Sequence, residues 1–137
     1  MTSSVIYEGN LRTICTHLKS GNNFETDAPI DNNGKGERFS PTDLMATSLA
    51  TCMLTVMGIK ARSLGFDLNG TKIEVLKTMN ANPRRIASID LDFHFPDSLK
   101  QTDEKTKIIL KKVGEGCPVL LSLHPEIAVK INWAEWN

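Results

Sequence analysis

The stretch from Ser40 to Gly65 constrains the fold more than any other part of the chain. Ser40 is a good N-cap, Pro41 suits the first helical position, and Asp43 stands where a capping-box carboxylate belongs. Leu44, Met45, Leu49, Cys52, Met53, Val56 and Ile59 follow at helical spacing. The pattern predicts a helix running to about Arg62, with Gly65 as its stop. Ala46, Thr47, Ser48, Ala50 and Thr51 are small, so another element can approach this helix closely.

The flanking segments read mostly as strands. Val5 to Tyr7 leads into a turn at Glu8-Gly9-Asn10. Leu11 to Leu18 then alternates, with Thr13, Cys15 and His17 on the face of Leu11, and Arg12, Ile14 and Thr16 on that of Leu18. Gly21-Asn22-Asn23 turns the chain and Phe24 to Asp27 is a third strand, which makes an antiparallel meander. Residues 31–36 form a loop. Beyond the helix, Phe66 to Met79 reads as a strand with a break at Asn69-Gly70. Arg85 to Phe95 is its partner across the turn at 80–83. Thr102 or Asp103 can cap a second helix whose buried stripe is Ile108, Ile109 and Val113, loosened at its end by Gly114 and Gly116. Pro118 to Leu123 is a short helical turn and Ile127 to Trp133 a last strand. The order β-β-β-α-β-β-α-(α)-β is α+β.

At 137 residues the size prior is one domain over 1–137. Charge is balanced, 16 basic against 16 acidic residues, so no broad field draws the chain to nucleic acid or anionic lipid. No unbroken apolar run approaches the roughly 18 residues of a membrane span. The first residues lack a basic segment followed by a long apolar one, so no secretory signal is visible and a reducing cytoplasm is the expected location. Three cysteines there read as thiols for chemistry or packing rather than a disulfide framework.

Those thiols differ in setting. Cys52 shares a helix face with Ser48, Leu49, Val56 and Ile59, some twelve residues past the cap, where the helix dipole no longer helps a thiolate. The residues alone favour a packing cysteine; reactivity would need a cation brought by another element. Cys117 precedes Pro118, hence stands near a helix N-cap, where free N–H groups favour the thiolate. Cys15 beside Thr13 and His17 reads as packing. Cys15-x-His17 has no further histidine at metal-ligand spacing, and Gly34-x-Gly36 lacks a phosphate-cradling continuation. Arg84-Arg85 reads as a solvated hairpin end, and Trp133 and Trp136 as packing or interface anchors.

Thr26-Asp-Ala-Pro29, Gly34-Lys-Gly-Glu37, Phe39-Ser-Pro-Thr-Asp-Leu44, the small-residue run into Cys52, and Gly116-Cys-Pro118 together resemble the OsmC/Ohr family, osmotically inducible protein C and organic hydroperoxide resistance protein. The resemblance covers nearly the whole chain. It implies an intertwined homodimer of α+β subunits, with antiparallel sheets wrapped around two central helices and active sites at the dimer interface. It also implies reduction of organic hydroperoxides or hydrogen peroxide, with an external dithiol as reductant and no metal or organic cofactor. Cys52 would be the peroxidatic thiol and Cys117, 65 positions on (117 − 52), the resolving one.

The family's peroxidases also use an arginine that holds the thiolate and a glutamate that holds the arginine. Arg12 matches the arginine by position; an exposed strand arginine is the competing reading. The glutamate's place, ten residues before the reactive cysteine, is Thr42 here. Asp43 is nearby, but nine residues at about 100° each point it away from Cys52, and capping accounts for it. Glu37 and Arg38, in the loop, are candidates to replace the missing carboxylate or pair with Arg12, although the residues favour an ordinary solvated pair. The departure at Thr42 keeps a second function open: a non-catalytic small-molecule-binding or stress-response protein on the same scaffold, with weak or no peroxidase activity.

Overall fold

The computed structural model describes all 137 residues, in two compact units, Met1–Met45 and Ala46–Asn137. In the first unit β1 (Ser3–Gly9), β2 (Arg12–His17) and β3 (Asn23–Asp27) form the expected antiparallel meander. Leu11, expected inside the second strand, sits instead in the turn. Asn10 and Leu11 both have positive φ, 53° and 61°, the conformation of a two-residue hairpin turn that matches strand twist. Leu11 thus tolerates a region in which a bulky side chain is costly.

This unit has almost no apolar interior. Val5, Ile6 and Tyr7 are each more than half exposed, and its only buried residues are Thr26, Asp27 and Ser40. What orders it is polar. The Asp27 N–H donates to Phe39 O at 3.1 Å, and the Ala28 N–H to Leu11 O at 3.1 Å. Gly34 lies so close to Ala28 that any β-carbon there would overlap its carbonyl, at 1.7 Å.

Helix α1 (Pro41–Ser63) starts where the sequence predicts. The capping box is reciprocal: Asp43 N–H donates to Ser40 Oγ at 3.1 Å, and Ser40 N–H to Asp43 Oδ2 at 2.9 Å. The capping role expected for Asp43 is therefore observed. By length and composition α1 is apolar enough to cross a membrane, with a mean hydropathy of 1.5. The run-length count missed this because Ser, Thr and Gly punctuate the segment without lowering its average much. Its buried stripe is Leu49, Met53, Met57 and Ala61, all fully buried in the core of the second unit. Ile59, expected on the core face with Cys52, is 66% exposed.

The second unit packs that stripe with a three-stranded sheet, β4 (Lys72–Ala81), β5 (Arg84–His94) and β6 (Ala128–Asn132), in the order β4-β5-β6. The β4–β5 pair is antiparallel; β6 joins β5 in parallel, with Ile89 opposite Val129 and Leu91 opposite Ile131. Ile89, Leu91, Phe93 and Phe95 alternate inward and are buried. Phe66 to Thr71 is loop rather than strand. Gly70 takes φ +85°, and Asn69 N–H turns back to Asp67 Oδ1 at 2.8 Å. Trp136 stacks on Phe95 at a centroid distance of 3.9 Å and donates its indole N–H to Leu99 O at 2.9 Å, while Trp133 lies 4.4 Å from Phe93. Both tryptophans are thus packing residues. At the hairpin end, Arg85 is paired with Glu126.

A parallel β5–β6 pair requires a crossover. It consists of α2 (Asp97–Lys100), α3 (Glu104–Glu115) and α4 (Pro118–Ser122). Asp103 caps α3 by accepting from Thr106 N–H at 3.0 Å. The buried face of α3 is Lys107, Leu110 and Gly114, not the expected isoleucine stripe, and Ile108 is 60% exposed. Gly114 does not loosen the helix. It lies inside α3, and its missing side chain makes room for Met57 and Met53 of α1.

Candidate active site

Two polar clusters carry chemistry, one in each unit. In the second unit, α1 presents Cys52 half-buried, and Cys117 is the N-cap of α4 and fully buried. Pro118 at the first helical position fixes the start of α4. Gly116 and Cys117 close α3 through backbone bonds to Val113 O and Gly114 O, at 3.2 Å and 3.1 Å. The close approach of α3 to α1 at Gly114 lies three residues before Cys117. Both thiols are free, and Cys52 lies close enough to Cys117 to act on its titration. Residues separated by 65 positions are therefore adjacent in the fold.

The electrostatics of Cys117 differ from the expectation. Its Sγ does accept the Leu120 N–H, at 3.4 Å, as an N-cap should. Burial nevertheless outweighs that hydrogen bond and pushes the Cys117 thiol above its ordinary value, and the neighbouring Cys52 raises it further. Cys117 is thus held as a neutral S–H, not as the better thiolate. In that form it can donate to the Cys52 sulfur. The two thiols are chemically unequal: one reachable from outside, the other enclosed and protonated.

In the first unit the cluster centres on Arg12. Arg12 and Asp27 are directly opposed across β2 and β3. Their side chains meet in a fork, Arg12 Nε to Asp27 Oδ1 at 2.7 Å and Arg12 Nη2 to Asp27 Oδ2 at 2.8 Å. Asp27 is 1% exposed and also accepts the Glu37 N–H at 3.1 Å. Its hydrogen bond with Arg12 holds the Asp27 carboxyl below the usual carboxylate range against the opposing effect of burial, and the same bond raises Arg12. Glu37 reaches Arg12 Nη2 only at 3.5 Å and is 60% exposed. Arg38 turns to Glu25, at 2.9 Å. Thr42 lies 3.2 Å from Ser40 Oγ within the helix cap. A cavity of about 600 Å³ opens in this unit, lined by Ile14, Phe24, Glu25, Arg38, Phe39 and Leu44.

Sequence reasoning named Arg12 and Glu37 but missed Asp27, the tightest partner of Arg12. The strand register carries the signal: a meander through Gly21 that opposes Thr13 to Thr26 also opposes Arg12 to Asp27.

A family model described as OsmC-like protein matches residues 34–132. The chain belongs to the OsmC-like family. This OsmC-like protein is also similar to a crystal structure from Psychrobacter arcticus 273-4, named for an osmotic stress-induced and detoxification response. The two are 50% identical with a TM-score of 0.90, covering 96% of this chain and 93% of that one. An organic hydroperoxide resistance protein OsmC from Legionella pneumophila shares the fold at 16% identity and a TM-score of 0.71, covering 96% and 95%. So does the organic hydroperoxide resistance protein OhrB of Bacillus subtilis, at 17% identity and 0.59, covering 96% and 97%. No curated protein matches the chain. The α+β fold expected from the element order is that of these structures.

Proposed function

We propose that this OsmC-like protein is a cysteine-based hydroperoxide reductase. The observation that carries the reading is the pair of neighbouring free thiols, Cys52 half-buried and Cys117 fully buried. The Cys52 thiolate attacks the distal oxygen of a hydroperoxide. The O–O bond breaks, the alkoxide leaves and takes a proton to become the alcohol (or water, from hydrogen peroxide), and Cys52 becomes a sulfenic acid. The Cys117 sulfur then attacks the Cys52 sulfur. The S–O bond breaks, the Cys117 proton leaves with the hydroxyl as water, and the disulfide forms. An external dithiol restores both thiols by exchange and is itself oxidised to a disulfide.

The enclosure of Cys117 suits the resolving role. A neutral buried thiol is a poor first nucleophile towards an oxidant arriving from solvent, and its contact with Cys52 supports capture of the sulfenic acid before further oxidation. Arg12 is read as the cation that favours the Cys52 thiolate, the role that the family resemblance gives to its position. The protein works in this reading as a cytoplasmic homodimer with no metal or organic cofactor.

The test is to mix the reduced protein with cumene hydroperoxide and follow both peroxide and free thiols. The expected result is loss of peroxide with Cys52 and Cys117 recovered as a disulfide. Persistence of the peroxide with both thiols reduced overturns the proposal.

A further inference from the structure

We propose that Gly114 is a positioning residue for the thiol pair: its missing side chain lets the end of α3 that leads into Cys117 settle against α1 beside Cys52. The inference rests on the reading of Cys52 and Cys117 as partners in one disulfide.

Gly114 lies inside α3, where glycine is a poor helix former. Its backbone is not left-handed, so conformational freedom does not account for a glycine here. Space does. A β-carbon would lie 2.9 Å from Met57 Sδ, 3.3 Å from Met57 Cγ and 3.3 Å from Met53 Cε. Both methionines are fully buried, and Met53 directly follows Cys52 on α1. The buried face of α3 runs through Lys107, Leu110 and Gly114. It ends in its smallest residue on the turn nearest Cys117.

The link from Gly114 to Cys117 is short and tied down. Cys117 N–H donates to Gly114 O at 3.1 Å, and Gly116 N–H donates to Val113 O at 3.2 Å. A helix end pushed off Met53 and Met57 therefore carries Cys117 with it, since a packed interior transmits such a shift. A disulfide tolerates little of this: its sulfurs bond at about 2 Å, and Cα atoms more than about 7 Å apart cannot be bridged without backbone movement. Gly116 supplies the contrast. It is the immediate neighbour of Cys117 and has φ −99°, yet a β-carbon there would meet nothing closer than Lys112 O at 3.5 Å.

The experiment compares Gly114→Ala, Gly114→Val and Gly116→Ala with the wild-type chain in two assays. In the first, reduced protein is equilibrated with mixtures of oxidised and reduced dithiothreitol. Cys52 and Cys117 lose their protons and an electron pair as their S–S bond forms, and the cyclic dithiothreitol disulfide takes these up to become the dithiol. The fraction of disulfide gives a pairing constant. A substitution that destabilises the reduced and oxidised proteins equally leaves this constant unmoved, which sets positioning apart from a merely structural role. In the second assay, excess cumene hydroperoxide is added and peptide mass spectrometry reads how Cys52 divides between disulfide and sulfinic acid. When resolution is slow, a second hydroperoxide passes an oxygen to the Cys52 sulfenic acid and leaves as the alcohol.

The pairing constant is expected to fall on the order of 10-fold in Gly114→Ala and 10²-fold in Gly114→Val, the scale of penalty for a reacting group displaced by about 1 Å. The sulfinic acid yield should rise in the same order, and Gly116→Ala should match wild type in both assays. A wild-type pairing constant in Gly114→Ala, or an equal loss in Gly116→Ala, overturns the proposal. So does a wild-type chain that forms no disulfide between Cys52 and Cys117 in oxidised dithiothreitol. If Gly114→Val fails to fold, Gly114→Ala decides alone. If the wild-type protein leaves peroxide untouched while the pairing constants follow the expected order, the peroxidase reading falls and the positioning role of Gly114 stands.

Discussion

A β-carbon on Gly114 of α3 would lie 2.9 Å from the sulfur of Met57 and 3.3 Å from the terminal carbon of Met53, two fully buried side chains of α1. Helix propensity favours alanine over glycine by about 1 kcal/mol at such a position, and overpacking opposes it by about 1–3 kcal/mol. Gly114→Ala is therefore expected to be close to neutral in urea unfolding. Gly114→Val adds branching where no space remains and should lose about 2 kcal/mol or more. Stability equal to wild type for Gly114→Val would show that the methionines yield freely.

Cys52 and Cys117 should label in a fixed order. Iodoacetamide is expected to modify Cys52 well before Cys117, because Cys117 is fully buried and its thiol is raised by that burial. Time-resolved peptide mass spectrometry checks this, and faster labelling of Cys117 would contradict it.

The raised Cys117 thiol also predicts a pH dependence of stability. The folded state holds the proton more tightly than the unfolded chain. The associated stabilisation is complete below the ordinary thiol value and is lost as pH rises through the higher, folded one. Reduced wild-type protein should therefore become less stable across that alkaline window, and Cys117→Ser, which does not titrate there, should lose less. Denaturant midpoints across the alkaline range measure the difference. Parallel curves for the two proteins would refute it.

Single-cysteine variants separate the proposed roles. Cys52→Ser is expected to abolish peroxide consumption. Cys117→Ser should allow one oxidation per site and stop at a sulfenic acid on Cys52, trapped by dimedone and seen as a mass increase on that peptide. Sustained turnover by Cys117→Ser with the external dithiol would show that resolution does not need Cys117.

The reciprocal cap at the start of α1 has its own signature. Ser40→Ala should cost about 1 kcal/mol. Asp43→Ala should cost a comparable amount, and the two together should cost less than their sum, because each completes the same box. Additive losses in chemical denaturation would mean that the two side chains act separately.

Local chemistry made the start of α1, the meander and the tryptophan packing legible in the sequence. Ser40, Pro41 and Asp43 act within one turn, and Gly21 and the asparagines beside it act within one hairpin. What was not legible depends on partners distant in sequence. Ile59 and Ile108 fit an apolar stripe by spacing, yet the core lies on the neighbouring faces, at Met57 and at Lys107–Leu110. Leu11 lies in a turn because the register of β1 and β2 demands two left-handed residues there. At the site, both cysteines were visible as candidates, but the sign of the Cys117 shift was not. N-cap position is a local property, whereas the burial that outweighs it comes from the packed core. Asp27 was overlooked because its meaning lies in the residue across the strand, Arg12.

Cys117 belongs to the connection that carries the chain from β5 to its parallel neighbour β6. Gly114, three residues before Cys117, is where α3 closes on Met53 and Met57 of α1. The pairing of the two cysteines is thus a property of the folded unit, and an unfolded chain carries two ordinary, separate thiols.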